Sequence, residues 1–267
     1  TLLLQGNVPN TTGPQAMTLP LSYNADASTN NFIVTPNGDV GPKPFSPYFG
    51  GNYSVYFDGT SGQYLNTPSN AAFAMGLVAF TLEAWVYVTG TNYCEIFTTA
   101  FGSFPTTAYR LMVTNTQKLQ YYDGTNSATS TTSIPLNTWT HVCVVREGTG
   151  SNQTKLYING SQDGSTTSSN NLTNSTGYIG RTWDGIIFTG YISNLRLVKG
   201  TAVYTTNFTP STQPLQNITN TSLLTCQSNR FIDNSTANSG SGFTLTANGS
   251  PRITDNSPFV STDFTTG

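Results

Sequence analysis

Short runs that alternate apolar and polar residues, nearly all closed by Asn-Gly or Asp-Gly, dominate this sequence. "SVYFDG" ends at Asp58-Gly59, "LQYYDG" at Asp123-Gly124 and "KLYING" at Asn159-Gly160. A period of two puts every second side chain on one face of a strand. Asn or Asp before Gly supplies the positive φ that tight hairpins require. Longer alternating runs occupy 80–88, 109–114, 139–147, 154–160, 176–181 and 190–200. Helical periodicity is nearly absent; one short helical turn is expected around "TAVYTTNF" (201–208). Strands at this spacing, joined by Gly and Asn turns, predict an all-β antiparallel two-sheet sandwich.

Composition narrows the function classes. The 267 residues are long enough for one large all-β domain or two smaller ones. Only 8% are charged, with 10 basic against 12 acidic residues, so no basic patch exists to neutralise phosphates and nucleic acid is not an expected partner. Aromatics reach 12%, which sets the chain apart from disordered sequences of similar polarity. No run of 18 apolar residues occurs, so no membrane insertion is expected. The chain opens on a strand-like "TLLLQG" without Met, as a processed chain or an excerpt of a longer polypeptide would. Cys94, Cys143 and Cys226 are odd in number and widely spaced, and Cys143, within "THVCVVRE", reads as a small buried apolar residue.

The chain begins twice. "FIVTPNGDVGPKPFSPY" (32–48) and "FTLTANGSPRITDNSPF" (243–259) align without a gap. Upstream, "TLLLQGN" is echoed by "SLLTCQSN" from Ser222, and Asp26-x-Ser28 by Asp233-x-Ser235. The Pro- and Asn-rich "TPSTQPLQNITNT" (209–221) reads as a connector before the second copy. The expected organisation is a sandwich over 1–215 followed by a small β extension, 216–267, that packs on the sandwich or on a neighbouring chain.

Three stretches carry a resemblance. "SVYFDGTSGQYL" with "FTLEAWVYV", then "NTWTHVCVVREG…KLYINGSQDG", then "GYIGR…FTGYISNLRLVKGTAVYTTNFTPS" resemble, in order, the opening, central hairpin and closing strands of laminin-G-like, concanavalin A-like jelly rolls. The last stretch and "LLTCQSNRFIDNST" are similar to the form found in virion structural proteins of tailed phages, marine ones among them. The resemblance implies a jelly roll whose first strands are the first copy of the repeat. It also implies a virion-surface or extracellular location, as fibre, appendage or capsid decoration. Implied partners are other virion subunits or further copies of the chain, and host glycans. The alternative is a secreted or cell-surface carbohydrate-binding domain assisted by calcium.

An enzyme is not expected. Glycoside hydrolysis needs paired carboxylates, and the resemblance would place them as E-x-D-x-x-E on one strand. None of Glu83, Glu95 and Glu147 has a carboxylate two or five residues on, which leaves a degenerate glycosidase as the weakest of three readings. His141 stands alone, without a G-x-S-x-G elbow. On "FTLEAWVYV", Glu83, Trp85 and Tyr87 share one face. That face reads either as a sugar contact or, the favoured reading, as a structural carboxylate beside packed rings. Trp183, flanked by Arg181 and Asp184 in "RTWDG", and the loop aromatics Tyr93, Phe101 and Phe104 are ligand-contact candidates. Packing is the competing explanation for them. For calcium, which the resemblance implies for some laminin-G modules, the candidates are Asp58, Asp123, Asp163 and Asp184. Turn chemistry accounts equally for each of these.

Overall fold

The chain divides into two units, 1–46 and 47–267. The computed structural model describes residues 53–60 and 62–259, and in the first unit an antiparallel ladder of Leu4–Gln5 (β1) with Ala25–Asp26 (β2). In the second unit the strands are β3 (Ser54–Asp58), β4 (Tyr64–Asn66), β5 (Phe80–Val88), β6 (Cys94–Thr98), β7 (Arg110–Val113), β8 (Lys118–Tyr122), β9 (Ser127–Ser133), β10 (Thr140–Arg146), β11 (Thr154–Ile158), β12 (Ser161–Thr166), β13 (Tyr178–Ile179), β14 (Thr189–Lys199), β15 (Thr221–Thr225), β16 (Thr246–Asn248) and β17 (Arg252–Thr254). They form two antiparallel sheets. One runs β12-β11-β10-β5-β14-β3-β17 with β15 also on β14; the other runs β16-β4-β13-β6-β7-β8-β9.

Alternation decides which side chains meet between the sheets. On β5, Phe80, Leu82, Ala84, Val86 and Val88 point into the core, joined by Val142 and Val144 of β10 and by Ile96, Phe97, Leu111, Leu119 and Tyr121 of the second sheet. Asn159 and Gly160 both have positive φ, 48° and 78°, and form the two-residue turn that registers Ile158 against Ser161. Gly160 is needed twice over, because a Cβ there would stand 1.8 Å from the Phe208 carbonyl oxygen.

β14 serves two partners in turn. Its first half pairs β3, a bulge intervenes between Ser193 and Arg196 with Asn194 at φ 52°, and its second half pairs β15. The second copy of the repeat therefore enters both sheets: β15 on β14, β16 on the edge strand β4, and β17 on β3. Leu223, Cys226, Phe243 and Leu245 contribute to the core.

Residues 201–208 do not form the expected helical turn. Their polar groups bond to the sheet instead: Thr201 O accepts from Thr81 Oγ1, Val203 N donates to Thr81 Oγ1, and Phe208 N donates to Gly160 O. The segment is a strap over the first sheet's outward face, where Tyr204 stacks on Phe208 at 3.6 Å above Tyr157 and Cys143.

All three cysteines are free and buried, and burial raises each thiol pKa. A thiol reagent is expected to label none of them in the native protein and all 3 after denaturation; rapid native labelling would contradict the packing described.

Candidate functional site

The outward face of the second sheet gathers charge and aromatic surface in a chain poor in charge. Register places Tyr178, Thr98, Arg110 and Tyr122 in one row across β13, β6, β7 and β8, with Glu95, Met112 and Gln120 in the next row. Cross-strand partners share a face, so Glu95 and Arg110 point away from the core. The loops 99–108 and 180–187 close over them, tied by a hydrogen bond from Gly102 N to Trp183 O (2.8 Å).

Local chemistry shapes the second loop. Arg181 and Ile187 bridge its base, Thr182 Oγ1 donates to Asp184 and accepts from Ile186 N, and Gly185 takes φ 102°. This turn delivers the Arg181 guanidinium over the rings of Phe101 (4.1 Å) and Tyr64 (5.4 Å), and Phe101 lies 5.0 Å from Tyr178. Phe101 is 49% exposed, so a ring face remains open to solvent.

On the same sheet face Glu95 is fully buried, and neither carboxylate oxygen has a hydrogen-bond partner among the described residues. Its nearest charge is Arg110 Nη1, at 3.8 Å. Arg110 lies between Phe104 (5.4 Å) and Tyr122 (5.6 Å), and its Nε, like Arg181 Nη1, is buried without an acceptor. Burial drives the Glu95 pKa well above the usual carboxylate range; Arg110 opposes that rise and Asp184 adds to it. Nearly all buried polar groups in native proteins are satisfied. Two guanidinium donors and two carboxylate oxygens are thus buried near this face without partners among the described residues, and a ligand carrying hydroxyls would meet them only where the covering loops part.

Arg181, Trp183 and Asp184 thus belong to this face, Trp183 half-buried and Asp184 exposed. Phe101 and Phe104 join them. Tyr93 stands apart, exposed on the connection between β5 and β6. Glu83, Trp85 and Tyr87 lie on the opposite side of the sandwich, on the outward face of the first sheet. Glu83 is sealed there: it accepts from Arg196 Nε (2.9 Å) and Nη2 (2.6 Å) and from Tyr204 OH (3.0 Å), with His141 Nε2 at 3.0 Å. Trp85 packs on His141 and Phe259, and Tyr87 on Trp139 and Tyr191.

The four aspartates considered for calcium stand in four separate places: Asp58 ends β3, Asp123 follows β8, Asp163 lies within β12 rather than in a turn, and Asp184 sits in the loop 180–187. Asp58 accepts from Thr60 N and Oγ1, and Asp123 from Asn126 N (2.7 Å), Ser168 Oγ (2.6 Å) and Asn170 Nδ2 (3.1 Å). Asp163 accepts from Thr131 and Thr132; burial pushes its pKa up, but these hydrogen bonds outweigh it and hold the group at about 2. Asp184 is taken by Thr182. Among the described residues no three His, Cys, Asp or Glu side chains converge, so these aspartates do not compose the many-oxygen shell calcium requires.

Sequence reasoning missed Glu95 and Arg110 as a site. The available signal was a lone glutamate inside the apolar run "YCEIF", where a strand buried on both sides leaves a charge no bland explanation.

The family model of the concanavalin A-like lectin/glucanases superfamily matches residues 50–203. No curated protein sequence matches the chain. Among solved structures, a native heptameric SAP-like pentraxin from Limulus polyphemus is 16% identical, with a TM-score of 0.53, covering 75% of this chain and 94% of that one. A putative carbohydrate binding protein from Bacteroides ovatus is 15% identical, with a TM-score of 0.47, covering 83% and 68% of the two chains. The Ruminococcus gnavus IT-sialidase CBM40 bound to α2,3 sialyllactose is 15% identical, with a TM-score of 0.45, covering 58% and 95%. The likeness to the pentraxin is one of fold.

Proposed function

The chain belongs to the concanavalin A-like lectin/glucanases superfamily, and from that premise we propose that it is a non-enzymatic carbohydrate-binding module whose site is the outward face of the second sheet. The observation that carries this reading is Glu95, buried and without a hydrogen-bond partner among the described residues, on the sheet face that the Arg181 and Phe101 platform borders. A sugar offers a flat C–H face to the Phe101 ring and hydroxyls that both donate and accept. With the loops 99–108 and 180–187 parted, those hydroxyls would complete Glu95, Arg110 Nε and Arg181 Nη1. Hydrolysis would need a second carboxylate working with the first; Asp184, the other carboxylate of this face, is held in its turn by Thr182 Oγ1. Glu83 lies on the other side of the sandwich, tied to Arg196, His141 and Tyr204.

A glycan array of the intact protein tests this, run with and without chelator. We expect binding that survives chelation and falls about tenfold or more in Arg181→Ala and Phe101→Ala, with melting temperature unchanged. No glycan retained by the parent protein, or equal binding by both variants, overturns the reading.

The setting we propose is a virion surface or another extracellular assembly, with many copies presenting weak sites together. The closing strands "GYISNLRLVKG" and the 8% charge content favour it. Among the described residues no helix is long and apolar enough to cross a membrane. Antibody-decorated particles in negative stain would carry this chain on their exterior; its absence from particles would leave the secreted lectin.

A further inference from the structure

The loop 99–108 has to move before a sugar can reach Glu95 and Arg110 Nε, and its attachments are unequal. One side chain holds its neck. Asn174 Nδ2 donates to Thr99 O (2.8 Å), Asn174 Oδ1 accepts from Thr107 Oγ1 (2.7 Å), and Asn174 N donates to Thr107 O (3.1 Å). Both arms of the loop therefore end on Asn174, beside the bonds from Thr99 N to Tyr109 O (3.0 Å) and from Tyr109 N to Thr99 Oγ1 (3.1 Å).

Asn174 itself stands on a fixed frame. Ser168 Oγ and Asn170 Nδ2 donate to the Asp123 carboxylate (2.6 and 3.1 Å), and Leu172, fully buried, exchanges backbone bonds with Gly76 (2.8 and 3.1 Å). On the other side, Ser175 O accepts from Asn70 N (2.8 Å) and Gly177 O from Thr67 N (2.9 Å). Arg146, also fully buried, spends its guanidinium on the carbonyls of Met75, Gly76, Val78 and Asn170. The backbone that presents Asn174 is thus tied on both sides and does not follow the loop.

The tip is held differently. Its backbone bond to the rest of the protein is Gly102 N to Trp183 O, and Gly102, at φ 74°, has open space where a Cβ would stand. Phe101, Gly102 and Ser103 are exposed. The other contacts of the tip are ring contacts: Phe101 with Arg181 and Tyr178, Phe104 with Arg110 and Tyr122. Such rings separate without stranding a buried polar group. Breaking the neck would strand Thr99 O, on a residue only 3% exposed.

We propose that Asn174 is the positioning residue of this site: it pins the neck of the loop 99–108, about which the tip swings away from the loop 180–187 to admit a sugar to Glu95 and Arg110. The movement rests on these bonds; what enters rests on the glycan-binding reading. On closing, the pinned neck returns Phe104 to Arg110 and Phe101 to Arg181. Asn174 therefore governs how long a bound sugar stays, without touching it.

The test compares intact Asn174→Ala with the parent by amide hydrogen exchange and by phenylglyoxal labelling of Arg110, whose side chain is 16% exposed. Exchange across 99–108 and labelling of Arg110 are each expected to rise about tenfold, with exchange in β6 and β7 unchanged. The melting temperature is expected to stay within about 5 °C of the parent. Thr107→Val, which removes one of the three bonds, is expected to give a smaller rise in the same two readouts. A glycan retained by the parent is expected to dissociate about tenfold faster from Asn174→Ala and to associate no more slowly. If the parent retains no glycan, the glycan-binding reading falls, and exchange and labelling still decide the hinge. Loop exchange and Arg110 labelling at the parent's rates in both variants overturn the proposal. So does faster loop exchange with Arg110 labelled no faster, or a retained glycan that leaves at the parent's rate. Exchange that rises throughout β6 and β7, or a loss of cooperative melting, overturns it too, since Asn174 would then support the whole sheet.

Discussion

Replacing Glu83 with alanine is expected to lower the melting temperature by about 10 °C or more. Glu83 and Arg196 sit on adjacent strands under the strap, fully buried and 5% exposed respectively, and Tyr204 of the strap bonds to the same carboxylate. Removing one partner of such a pair leaves a buried guanidinium without its anion, at a cost of about 3–5 kcal/mol. For a domain of this size each kcal/mol moves the midpoint by about 2–4 °C. The double replacement Glu83→Met with Arg196→Met removes both charges, and is expected to regain most of the loss. A single variant that melts like the parent would mean that the pair anchors nothing. The pH dependence follows the same logic. Burial works against Glu83 ionisation, but His141 and Arg196 outweigh it and hold its pKa below 4.5. The stability it contributes is full above that value and lost as pH falls through the lower, folded one.

Glu95 is expected to behave in the opposite sense. Its folded pKa lies well above 4.5 because burial favours the neutral acid. The stability tied to that proton is complete below the unfolded value and declines as pH rises toward the folded one. The slope is about 1.4 kcal/mol per pH unit within that window. Glu95→Gln keeps the shape and an acceptor for Arg110 while removing the charge. The variant should therefore be more stable than the parent at pH 7–8, with a flatter pH profile, yet bind glycan at least about tenfold more weakly. Urea midpoints across pH, measured beside the glycan array, read both effects. A destabilised variant would identify Glu95 as the anion of a structural ion pair with Arg110, and would remove it from the site.

What was legible in the sequence is what is local. The Asp58-Gly59, Asp123-Gly124 and Asn159-Gly160 corners are turns because positive φ is written in the dipeptide itself. Core-facing positions of β5 follow from period two. The triplet Arg181, Trp183 and Asp184 was visible because four consecutive residues make one loop. What escaped depends on distant partners. Arg196 lies 113 residues from the glutamate it binds, and His141 lies 58 away. The Asn194 bulge that lets β14 change partners has no dipeptide signature. The strap at 201–208 looked helical because its residues show no strand alternation, and its extended path is set by Thr81 and Gly160 on other strands. Glu95 became informative only once two loops were seen to cover it.

The division of β14 also decides how the molecule would respond to load. A pull on the chain at residue 259 meets β17 and then β16, each three residues long and each on a sheet edge. Such ladders peel one rung at a time and do not shear as a block, so they would yield at low force. The first half of β14 lies between β5 and β3, away from that line of traction, and its ladder with β5 would remain intact. The chain would then pay out some tens of residues of slack before the second sheet was disturbed beyond β16, its outermost strand.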